Sequence, residues 1–220
     1  MIRVGVFARW PVEGAVRTRL SPALPAALSC RLHMALVTDT LAAVATARAD
    51  ERVLFWTDSA AAPHGVPVPA GVRETTQGPG DPGARLAAAF DAMLAAPADR
   101  AVLVGSDHPG LTAAHVDGAF EALAHADLVL GPGTDGGCWL IGLARRAPGL
   151  FAGVVWGDTN VFAGMLERAA SAQLAVAKLD TLPGLDTPGD LARFVAEGLA
   201  GPARVPPATR AALREMKLLG

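Results

Sequence analysis

Five short segments carry the residue types that handle charged ligands. The first runs from Arg9 to Leu20 (RWPVEGAVRTRL) and holds three arginines, Arg9, Arg17 and Arg19, against the single acid Glu13. Guanidinium forks match phosphate oxygens, and loop N–H groups add donors. This composition suits a diphosphate or triphosphate clamp, and a solvated basic loop is the plainer alternative. Neither the G-x-x-x-x-G-K-[ST] spacing nor G-x-G-x-x-G is present. The second segment, Gln77 to Leu86 (QGPGDPGARL), lets backbone approach a flat base, offers the Gln77 amide to a base edge, and opens a helix whose N-terminus favours anions. A turn that merely caps that helix would read the same way.

The third segment, Gly105 to Pro109 (GSDHP), follows the most apolar run of the chain. A carboxylate there is costly unless it is paired or holds a cation. Mg²⁺ takes one or two carboxylates together with phosphate oxygens, so Asp107 is a metal candidate, with Ser106 beside it. Thr112 already serves as the cap of the next helix, which leaves Asp107 free. His108 is either a second ligand or, more simply, a loop histidine bonded to a neighbour. The fourth segment, Gly131 to Gly142 (GPGTDGGCWLIG), suits a ligand lying against backbone at Gly136 and Gly137. Asp135 would hold an acceptor group or a second metal, and Trp139 would stack on the ligand. A tight hairpin with Asp135 in its turn and Trp139 in the core fits the spacing equally. In the fifth, Leu185 to Leu191 (LDTPGDL), Asp186 is the second metal carboxylate or else part of the cap formed with Thr187. Cys138 has no base near it in sequence and reads as a packed thiol. His33, His64, His115 and His125 show no ligand spacing, and no G-x-S-x-G elbow is present.

These segments need a frame. Ile2–Ala8, Arg52–Thr57, Val72–Thr76, Ala101–Gly105, Asp127–Gly131, Cys138–Leu143 and Leu174–Leu179 are apolar runs of strand length. Helical spacing predicts helices from Pro25 to about Ala47, over Pro82–Ala95, from Thr112 to about Ala124, from Thr159 to about Ser171 and over Pro188–Leu199. Strands separated by helices imply crossovers, hence a mainly parallel sheet covered on both faces. Ile2–Ala8, Arg52–Thr57 and Ala101–Gly105 should share that sheet. The five segments then fall at strand ends, where open α/β sheets bind ligands.

With 220 residues, 51 % of them hydrophobic, the chain suits one domain with a large core. A net charge of −2 supplies no basic stripe for nucleic acid. Two distant cysteines make no disulfide framework, and no segment reaches about 18 apolar residues without a charge, Gly or Pro. A cytoplasmic setting without membrane contact is the expectation. Residues 1–200 form the body. The tail from Gly201, with Pro202, Pro206 and Pro207, is a linker and then a short basic helix, packed on the body or on a second copy in a homodimer.

Taken in order, F-A-x-x-P-x-x-G-x-V-[RK]-T-R-L, Q-G-x-G-D-x-G-x-R, G-S-D-x-P-x-L, D-G-G-x-x-L-I-G-L, W and D-T-P-x-D-L span about Ile2 to Leu199. They resemble a bacterial family of GT-A-fold transferases that includes an arsenosugar-biosynthesis branch. More distantly, they resemble the guanylyltransferases acting on 2-phospho-L-lactate and on molybdenum cofactor. The resemblance implies a single-domain nucleotide-diphospho-sugar transferase sandwich, Rossmann-like, with a mainly parallel mixed sheet. It implies nucleotide contacts at Ala8, Arg9, Gly14, Arg17, Arg19, Gln77, Gly83, Ala84 and Ser106. Mg²⁺ or Mn²⁺ would sit on Asp107 and Asp186, and acceptor contacts would come from Asp135, Gly136, Gly137 and Trp139. The catalytic set would be Arg17, Arg19, Asp107 and Asp135. Arg9 stands where the family usually carries Lys, Pro82 where it carries Leu, and Cys138-Trp139 where it carries an aromatic pair. The expected activity is nucleotidyl transfer from a nucleoside triphosphate to a small-molecule acceptor. Glycosyl transfer from a nucleotide sugar is the alternative, and a non-catalytic nucleotide-binding regulator the third. Asp107 and Asp186 should lie roughly 4–6 Å apart, close enough to share one ion.

Overall fold

The computed structural model of the protein describes residues 1–58, 64–201 and 205–219. Pro202 of the expected linker lies outside them. Seven strands form one sheet in the order β3-β2-β1-β4-β6-β5-β7. The strands are β1 (Ile2–Ala8), β2 (Glu51–Trp56), β3 (Val72–Thr76), β4 (Arg100–Gly105), β5 (Leu128–Pro132), β6 (Cys138–Leu143) and β7 (Val176–Lys178). β1, β2, β3 and β4 pair in parallel, as do β5 and β7, while β6 runs antiparallel to both β4 and β5. The three strands expected to share a sheet do so, side by side. β7 is shorter than its apolar run.

Alternation along the strands splits the core between the two faces. Val4, Val6, Leu54, Trp56, Val102 and Val104 face one side. There they meet α1 (Ala26–Thr46) and α3 (Ala113–Ala122). Val53, Phe55, Ala101 and Leu103 face the other, under α2 (Pro82–Met93) and α4 (Val161–Ser171). Strands buried on both faces read as continuous apolar runs, which is why β4 was so plain in the sequence. Asp81 caps α2 through Ala84 N–H, with Pro82 at the first position. Thr112 caps α3 in a box with His115.

α1 is long and apolar enough to cross a membrane by composition, yet half of it is buried in this fold. A third core joins it to α5 (Pro188–Ala200) and α6 (Pro207–Glu215) through Leu32, Leu36, Leu191, Val205 and Leu213. The tail helix therefore packs on the body. Asp39 of α1 fixes its start, its two carboxylate oxygens accepting from Ala208 N–H at 2.9 Å and Thr209 N–H at 2.7 Å. These are orphan donors at the N-terminus of α6, capped from another helix. Asp39→Ala is expected to cost about 1 kcal/mol, the usual worth of such a cap. Hydrogen exchange should quicken in residues 207–215 before the sheet is affected. Unchanged protection of α6 would show that apolar packing alone holds it.

β1 lies between β2 and β4, so the crossovers from the first half of the sheet and the second diverge at its carboxyl end. Open α/β sheets bind ligands at such a switch point. Because β6 is antiparallel, the β5–β6 hairpin emerges at the same end, beside the segment that follows β4.

Candidate active site

A cleft of about 1070 Å³ occupies that end of the sheet. This matches the upper range of small-molecule sites and leaves room for a nucleotide and an acceptor. Asp107 lines it, just past β4. Its Oδ1 accepts from His108 Nδ1 at 2.9 Å. Burial pushes the Asp107 carboxyl up, but His108 and Arg17 outweigh it and hold the group well below the usual carboxylate range. Asp107 is therefore a carboxylate at neutral pH. The His108 side chain is 6 % exposed, and its Nε2 meets no hydrogen-bond partner among the described residues.

One wall is the loop after β1. Arg17 adopts a left-handed conformation, φ 50°, ahead of the short turn Thr18–Leu20. Its guanidinium donates to Leu185 O at 3.1 Å, Ser106 O at 3.3 Å and Asp186 Oδ1 at 3.4 Å. Arg19 donates to Asp186 Oδ2 at 2.7 Å. Both arginines thus meet a carboxylate of this chain. The Arg17 side chain is 7 % exposed, and a buried cation must find acceptors. It binds the end of β4 to the segment before α5. The Arg19 side chain is 66 % exposed and has one partner among the described residues. His33 of α1 lies beneath this loop and bonds Arg9 O through Nε2 at 2.9 Å. Burial pushes the His33 imidazole down to about 4, so the ring is neutral and Nε2–H is the donor.

The structure brings Asp186 to Asp107. Leu185 N–H donates to Asp107 O at 2.9 Å, and both side chains line the cleft. The Asp186 side chain takes no part in the helix cap. Asp190 accepts from Asp186 and Thr187 N–H, and Thr187 accepts from Asp190 N–H. Two carboxylates lining one cleft suit Mg²⁺ or Mn²⁺, which need few protein ligands when a donor supplies phosphate oxygens. Among the described residues no group of three or more His, Cys, Asp or Glu could form an all-protein cage. The residues fit an ion that arrives with its nucleotide.

Several expected contacts are corrected by packing. Gln77 is buried, and its amide N–H groups donate to Phe55 O at 3.0 Å and Ala8 O at 3.3 Å. Those donors fasten the ends of β1 and β2, so none is left for a base edge. Gly83 is covered: a Cβ there would lie 2.6 Å from Trp156 Nε1 and 2.8 Å from Phe151 O. It is a glycine so that this indole can approach helix α2. The Ala84 N–H is spent on the Asp81 cap, and neither Ala84 nor Gly14 lines the cleft. Trp139 is 1 % exposed in the core, its Nε1 donating to Asp180 O at 3.1 Å. Its ring forms no platform for an acceptor.

The hairpin turn at Asp135 exists, and Asp135 also lines the cleft. Its Oδ1 accepts from Gly137 N–H at 3.0 Å. Gly136 lies outside the cleft lining, at φ +83°, with Thr159 O only 1.7 Å from where a Cβ would stand. Phe162 N–H donates to Gly136 O at 2.9 Å. The glycine rivets the hairpin to the segment before α4. Cys138 lines the cleft, but burial, aided by Asp135, pushes its thiol up to about 12, so it is no nucleophile.

Of the residues singled out in the sequence, Ala8, Arg9, Arg17, Arg19, Gln77, Ser106, Asp107, Asp135, Gly137, Trp139 and Asp186 border the cleft. Sequence reasoning assigned no role to Arg85, Trp156, Asp158 or Arg193, which also line it. Arg85 and Trp156 stand within the quoted motifs. Asp158 lies in a loop with no periodicity, so nothing local marked it.

A family model described as an uncharacterised protein conserved in bacteria, DUF2064, matches residues 40–158. No curated protein matches. Among solved structures, a Desulfovibrio desulfuricans G20 protein provisionally named a nucleotide-diphospho-sugar transferase is 28 % identical, with TM-score 0.87, over 98 % of this chain and 95 % of that one. Rv0371c of Mycobacterium tuberculosis H37Rv, solved as a manganese complex, is 20 % identical, with TM-score 0.55, over 88 % and 97 % of the two chains. CMP:2-keto-3-deoxy-manno-octonic acid synthetase, solved with CTP, is 12 % identical, with TM-score 0.53, over 89 % and 97 %. The fold is that of the nucleotide-diphospho-sugar transferases, as the sequence motifs implied.

Proposed function

The chain belongs to the bacterial family DUF2064, and from that premise we propose that it transfers a nucleotidyl group from a nucleoside triphosphate to a hydroxyl of a small-molecule acceptor. One observation carries the reading: an ionised Asp107 at the switch point, flanked by Asp186 and by the guanidinium groups of the loop after β1. Asp107 and Asp186 would hold Mg²⁺ or Mn²⁺ with the donor. When bound, the ion neutralises phosphate charge. The manganese complex of Rv0371c and the CTP complex of the synthetase support this reading at the level of fold.

Arg17 serves as the positioning residue. Bonded to three oxygens, it ties the Asp186 segment to Ser106, next to Asp107. Arg19 and Arg9 are the exposed cations that take the donor phosphates. The Arg19–Asp186 pair is solvent-exposed, and such pairs are worth about 0–1 kcal/mol. A charge-assisted bond to phosphate is worth about 1.5–3 kcal/mol, so Arg19 exchanges partners when a donor arrives. The acceptor oxygen then bonds the α-phosphorus, the α–β bridging P–O bond breaks, and pyrophosphate leaves. The hydroxyl proton passes to the Asp135 carboxylate. The protein contributes position and charge.

Calorimetry of the wild type and Arg19→Ala tests the reading at fixed Mg²⁺ and salt. Triphosphate affinity should fall by about one to two decades in the variant, with bare nucleoside binding unchanged. Equal effects on both would make the loop structural. Glycosyl transfer from a nucleotide sugar is the second reading, favoured by the name of the 28 % identical neighbour. Wild type binding a nucleotide sugar far more tightly than any triphosphate would establish it instead.

A further inference from the structure

The cleft has two unlike halves. On the half between α1 and α5, every carboxylate has a partner. Asp186 meets Arg17 and Arg19, and Asp190 meets Arg193, Thr187 and two backbone N–H groups. On the half between α2 and α4 stand Asp135, Trp156 and Asp158. Neither Asp135 nor Asp158 forms an ion pair among the described residues. Each is instead held in place through Oδ1. Asp135 Oδ1 takes Gly137 N–H, and Asp158 Oδ1 takes the Thr159 hydroxyl at 3.1 Å and the Asn160 amide at 3.3 Å. Among the described residues no hydrogen bond engages Oδ2 of either. The contact of Thr159 O with Gly136, and the Phe162 N–H bond to Gly136 O, fix the two loops to each other.

Trp156 completes this half. It is half-buried and wedged on Gly83 and Phe151, with ring centroids 6.3 Å apart from Phe151. A conformationally fixed indole offers apolar surface at little entropic cost. Arg85 is the cation of this wall, and its Nε is engaged by Gly80 O at 2.9 Å at the first turn of α2.

An ionised carboxylate only accepts hydrogen bonds. Two of them, held in place and forming no ion pair among the described residues, demand donors from a ligand, with Arg85 as the single cation this wall brings beside them. We propose that Trp156, Asp158 and Asp135 form the acceptor subsite and that it takes a neutral polyhydroxylated molecule, a sugar or polyol. The hydroxyls donate to the carboxylates while the apolar C–H face packs on the indole. This inference rests on the transferase reading, because it assigns the acceptor half of the same cleft.

Tryptophan fluorescence of the full chain with Mg²⁺ provides the test. The probes are glucose and myo-inositol, each against its anionic counterpart, glucose 6-phosphate and inositol monophosphate. Neutral probes should change the emission and bind at least about tenfold more tightly than the anionic ones. The response should vanish in Trp156→Phe while donor calorimetry stays as in wild type. Asp158→Asn should narrow the neutral-over-anionic preference by about tenfold, and a thermal scan checks that both variants fold. Tighter binding of the phosphorylated probes overturns the subsite assignment, as does an unchanged response in Trp156→Phe. If nucleotides bind and are consumed only with anionic acceptors, this inference fails and the transferase reading stands. If neutral probes bind through Trp156 but no nucleotide or nucleotide sugar does, the subsite stands and the transferase reading falls.

Discussion

Asp107→Asn is expected to lower kcat/KM by about a thousandfold, roughly 4 kcal/mol of transition-state stabilisation, in a protein that still folds. The substitution keeps the shape of the side chain and its contact with His108 but removes the charge. That charge is what the site has arranged. Burial opposes the ionised form of Asp107, yet His108 and Arg17 keep it ionised. A carboxylate maintained against its own desolvation cost at the end of the central strands has a cationic ligand as its natural counterpart. The same variant should weaken Mn²⁺ retention in the presence of triphosphate, read by electron paramagnetic resonance. The thermal unfolding midpoint should fall only modestly, because the Asn side chain keeps the His108 hydrogen bond and loses only the charge that His108 and Arg17 stabilise. Activity within tenfold of wild type would remove Asp107 from the reacting centre. Lost activity with unchanged metal retention would leave it a role in orienting His108 only.

Gly136→Ala should have the largest effect of any single methyl group in the cleft region. A Cβ at this position would lie 1.7 Å from Thr159 O, and the residue sits at φ +83°. Neither obstacle is the end of a flexible side chain. The hairpin or the 158–160 segment must move, and the left-handed backbone adds strain of its own. Overpacking and strain together are expected to cost about 2–4 kcal/mol in urea unfolding. In the protein that remains folded, the displaced loop carries Asp158 and Trp156 out of register with Asp135. Neutral-acceptor binding should then fall further than triphosphate binding, which depends on the opposite half of the cleft. A variant as stable as wild type would mean that the contact relaxes freely, and the two loops would not be rigidly joined.

The two substitutions separate what is legible locally from what is not. Asp107 was readable because a charged residue directly after a continuous apolar run is conspicuous, whatever the fold. The alternation of such runs with helical stretches fixed the sheet class, and Thr112, Pro82 and Thr187 marked helix starts by capping chemistry that depends on neighbours within a few residues. The order of motifs along the chain pointed to the family. Gly136, by contrast, read as a ligand-facing glycine, although its reason for being glycine is Thr159, a residue 23 positions away in another segment.

The same division runs through the side chains assigned to ligands. Gln77, Gly83 and Trp139 have residue types that suit a nucleotide or an acceptor, and their types were all the sequence disclosed. Only the fold shows that Gln77 spends its amide on strands β1 and β2, that Gly83 lies under Trp156, and that Trp139 is sealed in the core. Arg17 and Arg19, two residues apart, looked equivalent. Folding buries one against two carbonyls and a carboxylate and leaves the other in solvent. The sequence by itself determined the main elements, the caps at Thr112 and Thr187 and the sheet class, because strand periodicity and local capping are set by contacts a few residues long. Tertiary structure alone decided which polar groups face the cleft and which are consumed by their neighbours. That depends on where chain segments far apart in sequence meet, and no local pattern records it.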